Sequence, residues 1–189
     1  HLNKWSGRRA AERAGRAQHV RLFNPPGQGE PLKMKSFLRS AALAVGAILA
    51  DAREEAVASY QAFGRELGLA FQITDDILGI WGDPAITGKS SASDILARKK
   101  TLPILYALEW EGRHGRGDLA QLYALPSLSA DDVVTVLAIL DDAGARAFAE
   151  GRARAHVDRA LGHLDAAGGR GPAQDALQEL ALSLVGRRA

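Results

Sequence analysis

The stretch of this 189-residue chain that decides its fold runs from residue 68 to residue 103 and reads GLAFQITDDILGIWGDPAITGKSSASDILARKKTLP. Its first part lacks proline and is apolar around most of the helical circumference, which predicts a buried helix. This helical pattern begins near Glu54 and ends near Trp81. The Gly-Asp-Pro and Thr-Gly-Lys turns that follow predict a loop over residues 82–93.

A polar stripe follows one face of the predicted helix. Gln72, Asp75, Asp76 and Gly79 stand at positions i, i+3, i+4 and i+7, and Asp83 continues the line near the helix end. The opposite positions are apolar, so the acids are not simply a solvated face. Adjacent buried carboxylates repel each other strongly unless a cation neutralises them. The stripe therefore predicts a cation site.

The chemistry of the stripe and of the lysines after it favours magnesium and a phosphorylated ligand. Mg²⁺ accepts one or two carboxylates and completes its shell with water and phosphate oxygens. Lys89, Lys99 and Lys100 follow the acidic helix, and a diphosphate needs such cations beside the metal. An isolated Asp-Asp pair is more often a helix cap or a surface pair. The combination of motifs at fixed spacing favours the functional interpretation.

Outward from this stretch, the sequence predicts an all-α fold. No segment alternates apolar and polar residues in the manner of a strand, and none repeats at a fixed period. Glycines 112, 115 and 117 predict a linker. Further helices are predicted at about residues 32–52, from about 101 to no later than 112, and at about 129–142, 145–166 and 172–185.

Composition bounds the domain organisation and the classes of partner. Residues 1–30 are basic and broken by prolines, and we interpret them as a leader beside one domain over residues 31–189. The net charge of +2 argues against a nucleic-acid partner, and the longest apolar run, residues 41–50, is too short to span a bilayer. The chain contains no cysteine, which fits a location in the reducing cytoplasm.

The motifs FQxxDDxLG, GDP, TGK, SD and KxTLP, taken together, resemble those of the trans-isoprenyl diphosphate synthases. The resemblance extends over about residues 32–189 and corresponds to the later part of that family's domain. It implies an isoprenoid-synthase helical bundle that is incomplete at its N-terminal side. The family's first Asp-rich motif has no counterpart in residues 1–31.

The resemblance also implies roles for individual residues. Asp75 and Asp76 are expected to hold Mg²⁺ against the allylic diphosphate, with Gln72 beside them. Lys89 and Lys99 are expected to contact the diphosphate oxygens. All of these positions match the family motifs.

Other positions match the family less closely. Lys35 and Ser36 are the nearest equivalent of its Lys-Thr pair, which also serves the diphosphate. Gly79 stands where the DDxxD form of the motif has its last Asp, and Arg98 replaces a usual Gly. None of these departures excludes activity.

The implied function is condensation of an allylic diphosphate with isopentenyl diphosphate to a longer trans-prenyl diphosphate, by a homodimer or with a partner subunit. One alternative is a non-catalytic or truncated synthase-like subunit that binds magnesium-diphosphate but cannot elongate alone. Another is a class I terpene cyclase or a head-to-head condensing enzyme. The Thr-Gly-Lys loop and the KxTLP motif favour the chain elongators over this second alternative.

Overall fold

The computed structural model of the chain describes residues 31–83 and 92–185, with the backbone alone at residues 31–39 and 185. The predicted leader, residues 1–30, lies outside the described residues. All regular structure within them is helical, which confirms the all-α class. None of these helices is long and apolar enough to cross a membrane. The helices are α1 (Pro31–Leu49), α2 (Glu54–Trp81), α3 (Ser93–Leu96), α4 (Leu102–Arg113), α5 (Asp118–Ala124), α6 (Ala130–Asp142), α7 (Ala145–Ala166) and α8 (Pro172–Val185).

Helix α2, which carries the acidic stripe, is the central element and has the bounds predicted from the sequence. It begins after Arg53, whose backbone is still extended (φ −61°, ψ 152°). Glu54 and Glu55 occupy the first turn, where the helix dipole favours acidic side chains. It ends at Trp81, and the next residue, Gly82, has extended backbone (φ −67°, ψ 141°). Helices α1 and α7 make the most extensive contacts with it.

Apolar side chains hold the acid-bearing end of α2 against the helices that follow it. Ile80 of α2 packs into a core to which α3, α4, α5, α6 and the first residue of α7 contribute. Each fully buried aliphatic side chain contributes about 1.5–3 kcal/mol to such a core. The core therefore fixes the α3–α4 segment, and Lys99 within it, beside the acidic stripe. Its members that are at most 1% exposed are Ile95, Ile104, Ala107, Leu119, Val136, Leu140 and Ala145.

Two short helices, α3 and α5, were not predicted. Neither is long enough to be stable alone or to show a clear hydrophobic period. Helix α5 is instead capped from a distance, because the buried Glu111 carboxylate accepts a hydrogen bond from the Leu119 amide at 2.9 Å. The other predicted helices are confirmed to within three residues. The largest difference is at α1, which ends at Leu49, just before Asp51 takes a left-handed φ of 54°.

Candidate active site

The buried centre of the acidic stripe is Asp76, which is 6% exposed. The Gln72 side-chain amide, one turn earlier on α2, donates to Asp76 Oδ1 at 3.0 Å. The Leu102 backbone amide at the start of α4 donates to Asp76 Oδ2 at 3.2 Å. Both carboxylate oxygens are therefore held by neutral donors, and the second bond joins α4 to the acidic end of α2.

The two neighbouring acids have different surroundings. The sequence predicted buried acids, and the structure buries Asp76 but leaves Asp75 half-buried. Burial raises the pKa of Asp76, and the negative charges of Asp94 and Asp75 raise it further, against the opposing hydrogen bonds from Gln72 and Leu102. Asp76 is thus a carboxylate that would be stabilised by a nearby cation.

Lys99 lies within the electrostatic field of this acidic group. Its ammonium forms an ion pair with Oδ1 of Asp94, and its backbone amide donates to the Asp94 carbonyl at 2.9 Å. The Asp94 side chain is 8% exposed and that of Lys99 is 56% exposed. The Asp94 hydrogen bond raises the pKa of Lys99, and the charges of Asp75 and Asp76 add to the effect. Lys99 therefore has one buried carboxylate partner and an exposed flank.

The turn that precedes Lys99 explains one departure from the family pattern. Arg98 has a φ of 48°, in the left-handed region that favours glycine, which is the usual family residue at this position. The Arg98 guanidinium donates to the carbonyl of Leu125, just after α5. The strained turn is thus tied to α5 by a hydrogen bond that glycine could not form. The sequence indicated the departure but not its partner.

Several predicted site residues cannot be placed in the same way. Lys89 lies in residues 84–91, outside the described residues, and only the backbone of Lys35 and Ser36 is described, on α1. Asp83, which was predicted to continue the acidic line near the helix end, lies two residues beyond Trp81, the last residue of α2. The residue before a proline is driven towards extended backbone, and Asp83 precedes Pro84.

Two buried hydroxyl groups near the site were missed by sequence reasoning. Thr101, beside the amide that binds Asp76, and Tyr123 of α5 have hydroxyl oxygens with no hydrogen-bond partner within the described part of the chain. Burial and the charge of Asp94 raise the pKa of Tyr123, so its ring lies within electrostatic reach of that carboxylate. The KxTLP motif already contains Thr101, whereas Tyr123 lies on a helix that was not predicted.

A protein-family model described as polyprenyl synthetase matches residues 35–140, which is more than half of the chain. The chain belongs to the polyprenyl synthetase family. All the described residues of the acidic stripe and the KxTLP motif lie inside that match.

Individual members of the polyprenyl synthetase family are also similar to this chain. The (2E,6E)-farnesyl diphosphate synthase of Mycobacterium bovis is 38% identical over 155 residues, which are 80% of this chain and 43% of the relative. The chain therefore spans less than half the length of that relative.

Solved structures show the same isoprenoid-synthase fold. The geranylgeranyl pyrophosphate synthetase of Pyrococcus horikoshii matches with a TM-score of 0.71 and 27% identity, over 82% of this chain and 46% of that one. The geranylgeranyl pyrophosphate synthase of Corynebacterium glutamicum, in complex with isoprenyl diphosphate and magnesium, matches with a TM-score of 0.68 and 26% identity, over 85% of this chain and 48% of that one.

The donor set of this polyprenyl synthetase chain fits a magnesium ion that is shared with a ligand. Across residues 31–83 and 92–185, no three His, Cys, Asp or Glu side chains converge closely enough to form a metal site by themselves. Mg²⁺ does not require such a set, because it keeps several waters and binds one or two carboxylates plus substrate phosphates. Asp75, which is half-buried, and Asp76, which is buried and whose pKa is raised by burial and by neighbouring acids, match that requirement.

Proposed function

We propose that this chain is the later part of a trans-prenyl diphosphate synthase. The enzyme condenses an allylic diphosphate with isopentenyl diphosphate to give a longer trans-prenyl diphosphate. The observation that carries the proposal is the buried Asp76, which has neutral hydrogen-bond donors on both oxygens and Lys99 within its electrostatic field. A site of this kind matches a ligand that brings both a cation and negative phosphate oxygens.

In the proposed reaction, the carbon–oxygen bond of the allylic diphosphate breaks, and the resulting allylic cation forms a carbon–carbon bond with isopentenyl diphosphate. The leaving diphosphate accepts the proton that the new chain then loses. Asp75 and Asp76 would hold Mg²⁺, which when bound supplies positive charge to the diphosphate. Lys99 and Lys89 stabilise the negative charge that develops on the leaving oxygens. Gln72 and the Leu102 amide keep the Asp76 carboxylate in one orientation.

Several finer properties belong to the same proposal. The cofactor is Mg²⁺, which the acid pair of Asp75 and Asp76 suits. Lys35 and Ser36 on α1 add contacts to the diphosphate. The chain acts as a homodimer or with a partner subunit, in the cytoplasm. Sedimentation analysis and cell fractionation test the last two statements directly.

The decisive experiment is an elongation assay with labelled isopentenyl diphosphate, an allylic diphosphate and Mg²⁺. We expect labelled prenyl product from the wild-type chain and none from the double variant Asp75→Ala/Asp76→Ala. The matched control is Asp141→Ala/Asp142→Ala, which removes an equally adjacent but exposed acid pair at the end of α6. This control should retain product formation.

The outcomes distinguish the proposed functions. Product that is lost in the α2 double variant and kept in the α6 control supports elongation. Magnesium-dependent pyrophosphate binding without product marks a synthase-like subunit that cannot elongate alone. Product formation that is unchanged by loss of Asp75 and Asp76 contradicts the proposed site.

A further inference from the structure

Gly79, in the last turns of α2, has a steric reason to be glycine. Gly79 is buried within the helix. Glycine in a helix costs about 1 kcal/mol relative to alanine, so a glycine at this position needs a reason. A Cβ atom added at this position would overlap the carboxylate of Asp94, which lies directly over the Gly79 backbone. By contrast, a Cβ added at Gly112 of α4 would meet no atom within 4 Å. The space at Gly79 is therefore occupied by a particular acidic side chain.

The segment that carries Asp94 is held in an unusual backbone conformation. Helix α3 is only four residues long, and non-glycine residues with left-handed backbone lie on both sides of it. Ala92 has a φ of 55°, and Arg98 has a φ of 48°. Left-handed backbone costs a non-glycine residue roughly 1–2 kcal/mol. Ile95, which is fully buried, helps to maintain the segment against that cost.

The ion pair with Lys99 gives this arrangement a chemical consequence. A free lysine side chain carries about 2 kcal/mol of rotamer entropy, which a ligand must overcome to immobilise the ammonium. Asp94 Oδ1 already holds the Lys99 ammonium, in the field of Asp75 and Asp76. Asp94 does not join those two acids in a three-ligand metal set within the described residues. Instead, Asp94 Oδ1 forms the ion pair with the Lys99 ammonium.

We propose that Gly79 and Asp94 form a matched pair that positions Lys99 beside the acidic pair of α2. Gly79 supplies the space, and Asp94 supplies the charge that holds the ammonium. Asp94 is thus a positioning residue that acts through Lys99. The benefit to diphosphate binding rests on the proposed function, whereas the pairing itself is a property of the chain without ligand.

The first test therefore uses no ligand. Lysine side-chain NMR of the full chain, labelled at the ε-carbon and ζ-nitrogen and assigned with Lys99→Arg, follows the titration of Lys99. Asp94→Asn keeps the shape of the side chain but removes its charge, and it should lower the pKa of Lys99 towards the ordinary value. Gly79→Ala should shift the Lys99 signal in the same direction, while Gly112→Ala leaves it unchanged. A Lys99 titration that is identical in wild type and Asp94→Asn overturns the proposal.

The second test measures magnesium-dependent binding of inorganic pyrophosphate by calorimetry. Asp94→Asn and Gly79→Ala should each weaken binding roughly ten-fold, the value of one charge-assisted hydrogen bond. The double variant should lose no more than either single variant, because both act on the same lysine. Unchanged binding in Asp94→Asn would mean that Asp94 only fills space, and it overturns the positioning role.

The two tests separate the inference from the proposed function. If the wild-type chain binds no pyrophosphate, the proposed function fails, while the lysine titration still decides whether Gly79 and Asp94 position Lys99. Thermal unfolding of each variant tests whether the fold is retained. If Gly79→Ala fails to fold, Asp94→Asn decides the question alone, since it preserves the packing volume.

Discussion

Two buried carboxylates on the same helix have opposite surroundings. Glu66 of α2 lies against α7, where His156 Nδ1 is 2.8 Å and Arg159 Nε is 2.9 Å from its Oε2 atom. Burial alone would raise the pKa of Glu66, but the hydrogen bonds and charges of His156 and Arg159 prevail and lower it. The negative charge of Glu66 is therefore compensated by groups of the protein itself.

Asp76, less than three turns further along α2, is equally buried but receives hydrogen bonds from neutral groups. Its pKa is raised by burial and by the neighbouring acids. A partnered carboxylate such as Glu66 stabilises the packing of two helices, whereas a carboxylate short of positive charge is suited to a ligand that brings a cation. We therefore propose a structural role for Glu66, in the middle of α2, and a binding role for Asp76, in its C-terminal part.

The largest expected effect separates the two acids by ligand binding. Asp76→Asn keeps the side-chain volume but removes the charge, and it should weaken magnesium-dependent pyrophosphate binding roughly 10²-fold, the scale of losing one preorganised electrostatic group. Glu66→Gln is the isosteric control on the same helix and should bind as wild type does. Calorimetry measures both. Equal losses in the two variants would remove the functional distinction.

The next largest effect concerns stability, where loss of Glu66 should cost more than loss of Asp76. Glu66→Ala should lower the free energy of unfolding by about 3 kcal/mol, the low end for breaking a buried ion pair, because Arg159 is half-exposed. Asp76→Ala should change it by less than about 1 kcal/mol, since the lost hydrogen bonds are offset by removal of an uncompensated charge. Urea unfolding measures both. A larger loss for Asp76→Ala than for Glu66→Ala would contradict the assignment of Glu66 to structure.

The C-terminal part of α2 was easier to predict from sequence than the surroundings of Glu66 in the middle of the helix. Gln72 and Asp76 interact at spacing i, i+4, and the helix bounds follow from residues nearby in sequence. The capping box of Ser129 and Asp132 at the start of α6 is local in the same way, and the helix start predicted there is confirmed. Contacts of this kind are encoded within a few residues and can be deduced without a fold.

Long-range contacts could not be predicted in this way. The Glu66 cluster joins residues 90 and 93 positions apart, and nothing in the local sequence pairs them. The carboxylate partner of His156 on α7 comes from a different helix, α2. The overlap of Asp94 with the space over Gly79 likewise depends on how α3 folds back onto α2. Tertiary packing, rather than any motif, determines these contacts.

A smaller effect uses pH to distinguish the two acids. The pKa of Glu66 is lowered on folding, so its stabilisation is present above the unfolded value of about 4.3 and is lost as pH falls through the folded value. The pKa of Asp76 is raised, so its contribution is present at low pH and is lost as pH rises through the folded value.

Melting curves from pH 3 to pH 8, without magnesium, test this difference in sign. The stability deficit of Glu66→Gln relative to wild type should shrink as pH falls. The stability of Asp76→Asn relative to wild type should rise as pH increases above the unfolded pKa of about 3.9 for Asp. Slopes of the same sign for both variants would show that the two carboxylates do not differ in the proposed way.

The smallest expected effect concerns the turn just before Lys99, where Arg98 has left-handed backbone. Arg98→Gly relieves roughly 1 kcal/mol of left-handed strain and loses a hydrogen bond of similar net value to the Leu125 carbonyl. The free energy of unfolding should therefore change by less than about 0.5 kcal/mol, because these contributions have opposite signs. Arg98→Ala loses the bond but keeps the strain, so it should be less stable than Arg98→Gly by about 1 kcal/mol.

Arg113→Ala, at an exposed arginine of α4, is the control for removing a surface charge. If urea unfolding shows that Arg98→Ala is as stable as Arg98→Gly or more stable, backbone strain at position 98 does not affect stability. The hydrogen bond to the Leu125 carbonyl then accounts for the arginine by itself.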